Sequence, residues 1–89
     1  MKYAFVCSLC HGGILGGGLY LDGQSLTYRT RKLTVDKKYR NLVLPLEEIG
    51  EITWKGILAT VHMQNGEAYK LLIFNKGRFL RCYQACTEQ

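Results

Sequence analysis

The chain has 89 residues, 47% of them apolar, with ten glycines and one proline, which predicts one folded domain and excludes a disordered, collagen-like or low-complexity chain. The formal net charge of +5 favours anionic partners such as phospholipid headgroups, nucleic acid or acidic proteins, although a merely soluble basic protein fits as well. No apolar run approaches the roughly 20 residues of a transmembrane helix. The N-terminus lacks the cleavage site of an export signal, so we expect a cytoplasmic protein that can associate peripherally with a membrane.

Strand patterns dominate the chain up to Phe74. They are β-prone apolar runs or runs in which apolar residues alternate with others at period two. We expect about six or seven strands among the candidate segments 3–9, 19–21, 25–28, 33–35, 42–46, 51–54, Leu58–Met63 and 67–74. Pro45 ends one of these runs or lies at its edge, and residues 46–49 suit a single helical turn.

Glycines and asparagine mark the connections between these strands. Five glycines within residues 11–18 predict a loop or a strongly bent strand. Asp22-Gly23 and Asn65-Gly66 each lie between apolar runs. Such dipeptides are typical of tight hairpin turns whose two central residues take positive φ. Successive hairpins predict an antiparallel sheet.

A helix is predicted at the C-terminus, from Lys76 to Thr87. Asn75 is a suitable N-cap for it. Apolar residues then recur at three- and four-residue spacing, which gives the helix one apolar face. That face is made by Phe79, Leu80, Tyr83 and Cys86. An isolated helix of this length is marginal in water, so we expect Phe79, Leu80 and Tyr83 to close an open end of the sheet.

Three segments resemble the GRAM and bacterial pleckstrin-homology-like domains. Residues 18–28 contain the glycine, the apolar-aromatic strand, the tight turn and the aromatic-ended strand that are typical of this family. Residues 44–52 resemble its proline-led short segment before a strand. The last hairpin, with Tyr69 and Phe74, leads into the terminal helix as the family's hairpin does.

This resemblance covers residues 17–86 and implies one domain over residues 1–89. The implied fold is a bent antiparallel sheet or partly open barrel of about seven strands, capped by the C-terminal helix. Family members are associated with membrane surfaces, phosphoinositides or protein partners. Asp22 and Ser25 occupy places where the family usually has threonine and arginine, so a ligand role of that arginine is not carried over.

Half of the basic residues fall between positions 29 and 40. These six residues, called the basic strip below, are Arg29, Arg31, Lys32, Lys37, Lys38 and Arg40. The strip is suited to an anionic membrane surface, where each cation contributes about 1 kcal/mol, or to an acidic protein partner. A nucleic-acid backbone is a further alternative, with Tyr28 and Tyr39 available for stacking. The strip also fits the solvated face of an edge hairpin.

Four cysteines require an explanation. Cys7-Ser8-Leu9-Cys10-His11 matches the pattern for covalent haem attachment, but that chemistry requires export. A structural zinc site is the more specific alternative, with Cys7, Cys10, Cys82 and Cys86 as ligands, or with His11 in place of one cysteine. A regular strand would direct Cys7 and Cys10 to opposite faces. We therefore expect buried free cysteines that act as small apolar residues, and no cofactor.

The sequence offers no complete catalytic constellation. Its glycines precede a strand rather than a helix, which disagrees with a dinucleotide site. Glu47 and Glu48 are adjacent rather than opposed across a cleft, and neither His11 nor His62 has an evident orienting partner for a cysteine nucleophile. We expect a non-enzymatic binding or scaffold domain. The alternatives are a small nucleic-acid-binding β-barrel and a zinc-stabilised interaction module, and open sheet edges allow a homo-oligomer.

Overall fold

The structure, a computed structural model, describes residues 2–10, 13–31 and 37–87. The described residues form seven strands, two helices and one short 3-10 helix. The strands are β1 (Tyr3–Cys10), β2 (Ile14–Leu21), β3 (Ser25–Arg29), β4 (Asn41–Pro45), β5 (Ile49–Lys55), β6 (Leu58–Met63) and β7 (Ala68–Ile73). The helices are α1 (Lys37–Arg40) and α2 (Lys76–Thr87), and the 3-10 turn is Leu46–Glu48.

All seven strands belong to one antiparallel sheet in the order β4-β3-β2-β1-β7-β6-β5. The first strand therefore lies at the centre, between β2 and β7. The pairing of Cys7 with Ile73 joins the two halves of the chain. This arrangement confirms the predicted mainly β fold with a C-terminal helix. The predicted helix bounds and the helical turn after Pro45 are also confirmed.

Alternate side chains on the strands point to one face and form a single core. Its fully buried members include Leu9, Leu19, Leu21, Leu26, Tyr28, Val61, Leu71, Ile73 and Phe79. Only Phe79 of these comes from a helix. Because one helical residue cannot cover so many strand residues, the two halves of the sheet must face each other across the core. The sheet is consequently bent, with polar and glycine residues on its outer face.

Helix α2 closes one end of the bent sheet. The Phe79 ring lies edge-on to Phe5 at 5.2 Å between centroids and to Trp54 at 5.8 Å. Tyr83 stacks on Phe79 at 5.7 Å. Leu80 is 41% exposed, so its predicted place in this plug is wrong, because the helix turns it away from the sheet. Phe79 and Tyr83 form the plug with half-buried cysteines of the same helix.

The start of α2 is fixed by a cap and by one long side chain. The Asn75 carbonyl accepts from the Phe79 N–H at 2.9 Å, and its Oδ1 lies 3.4 Å from the Arg78 N–H. This cap agrees with the sequence prediction. Arg78 Nη1 also donates to the Ala4 carbonyl at 2.8 Å, and its guanidinium lies 4.6 Å from the Phe5 ring centroid. These contacts hold the helix against the first strand.

The predicted hairpin at Asp22-Gly23 exists, but its mechanism differs from the prediction. Positive φ occurs, among the described residues, only at Gly13, Gly56 and Gly66. Asp22 Oδ1 instead accepts from the backbone N–H groups of Gln24 and Ser25, at 2.8 and 2.9 Å. An Asx turn therefore replaces the left-handed conformation that the dipeptide predicted.

The two other hairpins do use glycine at positive φ. Gly66, with φ of +93°, follows Asn65 as predicted, and its N–H donates to the Met63 carbonyl. The turn Gly56-Ile57 between β5 and β6 was not predicted, and Gly56 takes φ of +63° there. Positive φ costs an L-residue about 1–2 kcal/mol, which explains glycine at both sites.

The structure also defines two further segments. The glycine-rich stretch was predicted as a loop or a strongly bent strand, and the structure has the strand: Ile14 to Leu21 pair with β1 along their whole length. Lys37 to Arg40, where the sequence patterns indicated neither strand nor helix, form helix α1. The predicted strand at 33–35 lies outside the described residues.

Candidate anion-binding surface

A shallow groove crosses the outer face of β2 and the end of β3. Its volume is about 700 Å³, and its lining contains two arginines and no carboxylate. The lining residues are Gly16, Gly17, Gly18, Tyr20, Arg29, Thr30 and Arg31. Leu26 and Tyr28 point into the core, so alternation directs Arg29 outward. The arginines thus form one wall of the groove.

Glycines on β2 make the floor of this groove. A Cβ on Gly16 would meet no atom within 4 Å, so the floor is open there. A Cβ on Gly18 would lie 2.9 Å from the Tyr20 hydroxyl, because the Tyr20 ring lies over that glycine. Lys2 also contacts the Tyr20 side chain, with its Nζ 5.3 Å from the ring centroid. Tyr20 therefore forms the second wall of the groove, and Lys2 contacts its ring.

Thr30 ties the arginine wall to the floor. Its hydroxyl donates to the Gly16 carbonyl at 2.9 Å, and its N–H donates to the Arg40 carbonyl at 3.1 Å. It lies between Arg29 and Arg31 in the chain, so both arginines are held close to β2. The segment that carries the arginines is therefore joined to the floor of the groove through the backbone carbonyl of Gly16.

Exposed apolar residues lie beside the groove on the same outer face. Val6 is 70% exposed and pairs with Gly18 across the β1–β2 ladder. Phe74 is 54% exposed, and its N–H donates to the Val6 carbonyl. One row across the sheet therefore reads Phe74, Val6, Gly18 and Arg29. At roughly 4.8 Å per strand, about 10 Å separates the positions of Val6 and Arg29.

The basic strip predicted from the sequence does not form one surface. Arg29 and Arg31 line the groove, whereas Lys38 stacks at the end of the core, 5.6 Å from the Tyr39 ring centroid and 5.7 Å from that of Tyr69. Lys38 lies on α1, where it faces Tyr69 of β7. The described members of the basic strip are therefore divided between the groove and the end of the core.

The remaining members of the strip are also dispersed. Lys37 is exposed on α1. The Nε of Arg40 is inaccessible to solvent and has no hydrogen-bond partner within the described part of the chain. Lys32 lies outside the described residues. Of the five predicted binding residues that the structure describes, Arg29 and Arg31 are found together at a concave site.

Lys38 is engaged within the molecule. The pKa of its ammonium is raised by the neighbouring Tyr69 hydroxyl, and secondarily by Glu67 and Tyr39. The Tyr69 hydroxyl donates to Glu67 Oε2, and burial followed by this hydrogen bond raises the pKa of Tyr69. This cluster closes the end of the sheet opposite α2, so Lys38 has a structural role that does not require a ligand.

The four cysteines remain in two separate pairs. Cys7 is fully buried in the core, while Cys10 is half-buried on the other face of β1. Burial, and then the neighbouring Cys10, raises the pKa of Cys7 to about 12. The pKa of Cys86 is raised by burial and by Cys82. All four are free thiols.

The positions of the four cysteines do not support a metal site or a cysteine nucleophile. Within residues 2–10, 13–31 and 37–87 no three His, Cys, Asp or Glu side chains are grouped as metal ligands. The proposed zinc set is not assembled there, because β1 sends Cys7 and Cys10 to opposite faces. His62 lies on the outer face, with Nε2 3.0 Å from the Thr53 hydroxyl. His11 is not among the described residues.

Sequence reasoning missed Tyr20, the glycine floor and the exposed pair of Val6 and Phe74. The sequence does contain a signal for the outward position of Gly18 and Tyr20. These two residues alternate with the apolar Leu19 and Leu21, which a strand directs into the core. Glycine within a strand also indicates a close approach of another group. In the part of the chain that the structure describes, no helix is long and apolar enough to cross a membrane.

Neither a protein-family model nor a curated protein matches this sequence. A solved structure is similar: the crystal structure of the C-terminal domain of an unknown protein from Leishmania infantum. The TM-score is 0.75 at 13% sequence identity, over 94% of this chain and 80% of that one. Identity this low supports the fold alone. The chain is thus similar to a solved β-rich domain, while its membership of the pleckstrin-homology-like family stays a prediction.

Proposed function

We propose that the protein is a non-catalytic, pleckstrin-homology-like binding domain that docks on membranes through anionic lipid headgroups. The observation that carries this proposal is the row across the outer face, with Phe74 and Val6 on one side of the Gly18 floor and Arg29 on the other. In this arrangement Arg29 and Arg31 bind the lipid phosphate in the groove. The exposed apolar pair contacts the acyl boundary beside it.

Two physical arguments support an anionic lipid surface over other anions. The arginine fork binds phosphate through two parallel hydrogen bonds, and no carboxylate among the described residues lines the groove to oppose it. Peripheral membrane binding strengthens with both cationic charge and buried apolar area. A soluble phosphate or a nucleic-acid backbone would use the arginines but would leave Val6 and Phe74 in water.

Vesicle sedimentation tests the proposal. At low salt we expect binding to vesicles of phosphatidylcholine with phosphatidylserine and none to phosphatidylcholine alone. The double variant Arg29→Gln/Arg31→Gln should bind about 30-fold more weakly, at about 1 kcal/mol for each lost cation. The control Lys37→Gln/Arg81→Gln removes the same charge away from the groove and should change binding by less than about threefold.

A second pair of variants in the same vesicle assay distinguishes a lipid surface from other anions. Val6→Ser and Phe74→Ser should weaken vesicle binding while leaving net charge unchanged. Equal losses in the groove variant and its control would contradict the proposal, since they would indicate unspecific attraction. Tight binding of inositol hexakisphosphate or of an oligonucleotide, with no binding to anionic vesicles, would also contradict it.

A further inference from the structure

We propose that two copies of this chain pair through the free edge of β5, in antiparallel orientation, with the two-fold axis at Thr53. The two seven-stranded sheets would then join into one. The inference concerns a surface remote from the groove and does not depend on the lipid proposal. It follows from the accessibility of this edge, from the direction of its backbone groups and from the order of its side chains.

The β5 edge is the longer of the two sheet edges. Strand β5 pairs with β6 on one side, and the structure assigns it no second neighbour among the described strands. The other edge, β4, has five residues and ends in Pro45, whereas β5 has seven and contains no proline. Proline offers no N–H for pairing, and shortness also discourages edge association. Of the two edges, β5 is better suited to a further strand.

The backbone direction along β5 can be derived from its partner strand. The Ile73 N–H donates to the Ile57 carbonyl, so Ile57 is directed toward β7 and Leu58 toward β5. Leu58 pairs with Lys55, and backbone groups alternate in direction along a strand. The N–H and C=O groups of Ile52 and Trp54 therefore point to the open edge, where a second strand can bond to them.

One register matches charge with opposite charge. If Thr53 lies opposite Thr53 of the second copy, Glu51 lies opposite Lys55 of the second copy, and the two-fold axis repeats this pair. All three residues are exposed on the outer face. Opposite charges directly across a ladder stabilise it, whereas like charges destabilise it. Moving the axis to Ile52 would place Glu51 opposite Thr53 of the second copy, and moving it to Trp54 would place Lys55 opposite Thr53. The pairing of opposite charges therefore favours the axis at Thr53.

The same register also pairs the inner-face residues. Ile52 comes opposite Trp54 of the second copy, again twice, and a β-branched residue against an aromatic one is a favourable cross-strand pair. Both side chains are only half-buried in the single chain. Trp54 already has Phe79 on one side and the Lys76 ammonium 4.9 Å from its ring centroid, so its position is fixed before pairing. One register therefore satisfies charges, apolar groups and backbone groups together.

Complementary charge reversal tests this inference. In Glu51→Lys both symmetry-related pairs become lysine opposite lysine, and in Lys55→Glu both become glutamate opposite glutamate. We expect the unaltered protein to dimerise in sedimentation equilibrium and each single variant to associate at least about tenfold more weakly. An equimolar mixture of the two variants should restore the dimer. One pair then sets the introduced lysine against the introduced glutamate, and the other retains the original Lys55 and Glu51.

Hydrogen exchange provides a second readout that does not depend on the mutants. The amides of Ile52 and Trp54 should become protected as protein concentration rises, and those of Thr53 should be protected at all concentrations by β6. Thermal unfolding checks that the exposed substitutions leave the fold intact. A monomer at submillimolar concentration, single variants that dimerise like the unaltered protein, or a mixture that stays monomeric would each overturn the inference.

Discussion

The Tyr28 hydroxyl donates a 2.6 Å hydrogen bond to the Leu15 carbonyl, although the two residues belong to different strands. The ring of Tyr28 reaches that carbonyl by passing over Gly17, the inward-facing glycine of β2. A Cβ on Gly17 would lie 2.4 Å from the Arg29 carbonyl oxygen and 2.9 Å from the Tyr28 ring. The glycine stretch is thus a strand whose missing side chains are replaced by neighbouring tyrosines.

The substitution Gly17→Ala should destabilise the fold by roughly 1–3 kcal/mol, the usual cost of overpacking a filled core. Urea denaturation measures this loss. Gly16→Ala is the matched control, since its Cβ would meet no atom within 4 Å, and it should change stability by less than about 1 kcal/mol. Equal losses at the two positions would show that strand glycines matter here only through backbone freedom.

The hairpin turns make a second prediction. Gly66→Ala should cost roughly 1–2 kcal/mol, because alanine must adopt a left-handed φ there. Gly23→Ala should cost much less, since the turn at Asp22 uses no positive φ and leaves open space for a Cβ. Denaturant midpoints of the two variants check this order. A larger loss at Gly23 than at Gly66 would contradict the Asx-turn description.

The plug on α2 makes a third prediction. Phe79→Ala should destabilise the protein by about 3–5 kcal/mol, as expected when a buried phenylalanine is truncated, because its ring contacts Phe5, Trp54 and Tyr83. Leu80 is the next residue on the same helix, but its side chain is exposed. Leu80→Ala should therefore change the free energy of unfolding by no more than about 0.5 kcal/mol. Thermal or urea unfolding compares them, and similar losses would refute the assigned helix orientation.

Alkaline pH should destabilise the fold through Cys7. The pKa of this thiol is about 12 in the folded protein, against an ordinary value of 9.0. Below pH 9 the thiol is therefore protonated in both the folded and the unfolded protein, and its full contribution to the free energy of unfolding is present. Above pH 9 the unfolded thiol ionises first, and stability falls by as much as about 1.4 kcal/mol per pH unit until the folded thiol also ionises.

Urea unfolding at a series of pH values measures this slope. Cys7→Ala should be less stable at neutral pH but should lose stability less steeply between pH 9 and 11. Leu80→Ala, an exposed substitution that leaves all four thiols in place, is the control and should keep the original slope in that interval. If the slopes of all three proteins coincide, burial of the Cys7 thiol does not produce the alkaline loss.

Much of the fold could be predicted because local patterns and tertiary packing agree. The alternation of apolar residues at period two predicted the strands. The N-cap Asn75 and the spacing of Phe79 and Tyr83 predicted the last helix. The glycine stretch could be predicted only as a loop or a strongly bent strand, because the rings that compensate for the missing side chains, Tyr20 and Tyr28, contact it only after folding. Local propensity carries no information about such a tertiary contact.

The candidate site was only partly predictable for a related reason. Arg29 and Arg31 were identified from their charge, but residues near them in sequence proved distant in space. Lys38 lies on α1 against Tyr69 of β7. Val6 and Phe74 flank the groove from opposite ends of the sequence, and their proximity depends on the pairing of β1 with β7.

That pairing also has a consequence for the order in which the molecule assembles. The ladders β1–β2–β3–β4 and β5–β6–β7 each connect neighbours along the chain, so either can form with little loss of chain entropy. Among the described strands, only the seam between β1 and β7, at Cys7 and Ile73, spans almost the whole sequence, and closing so large a loop is slow. Residues on both sides of the core and of the outer face acquire their neighbours at this one step, which makes the seam between β1 and β7 the latest part of the fold to be completed.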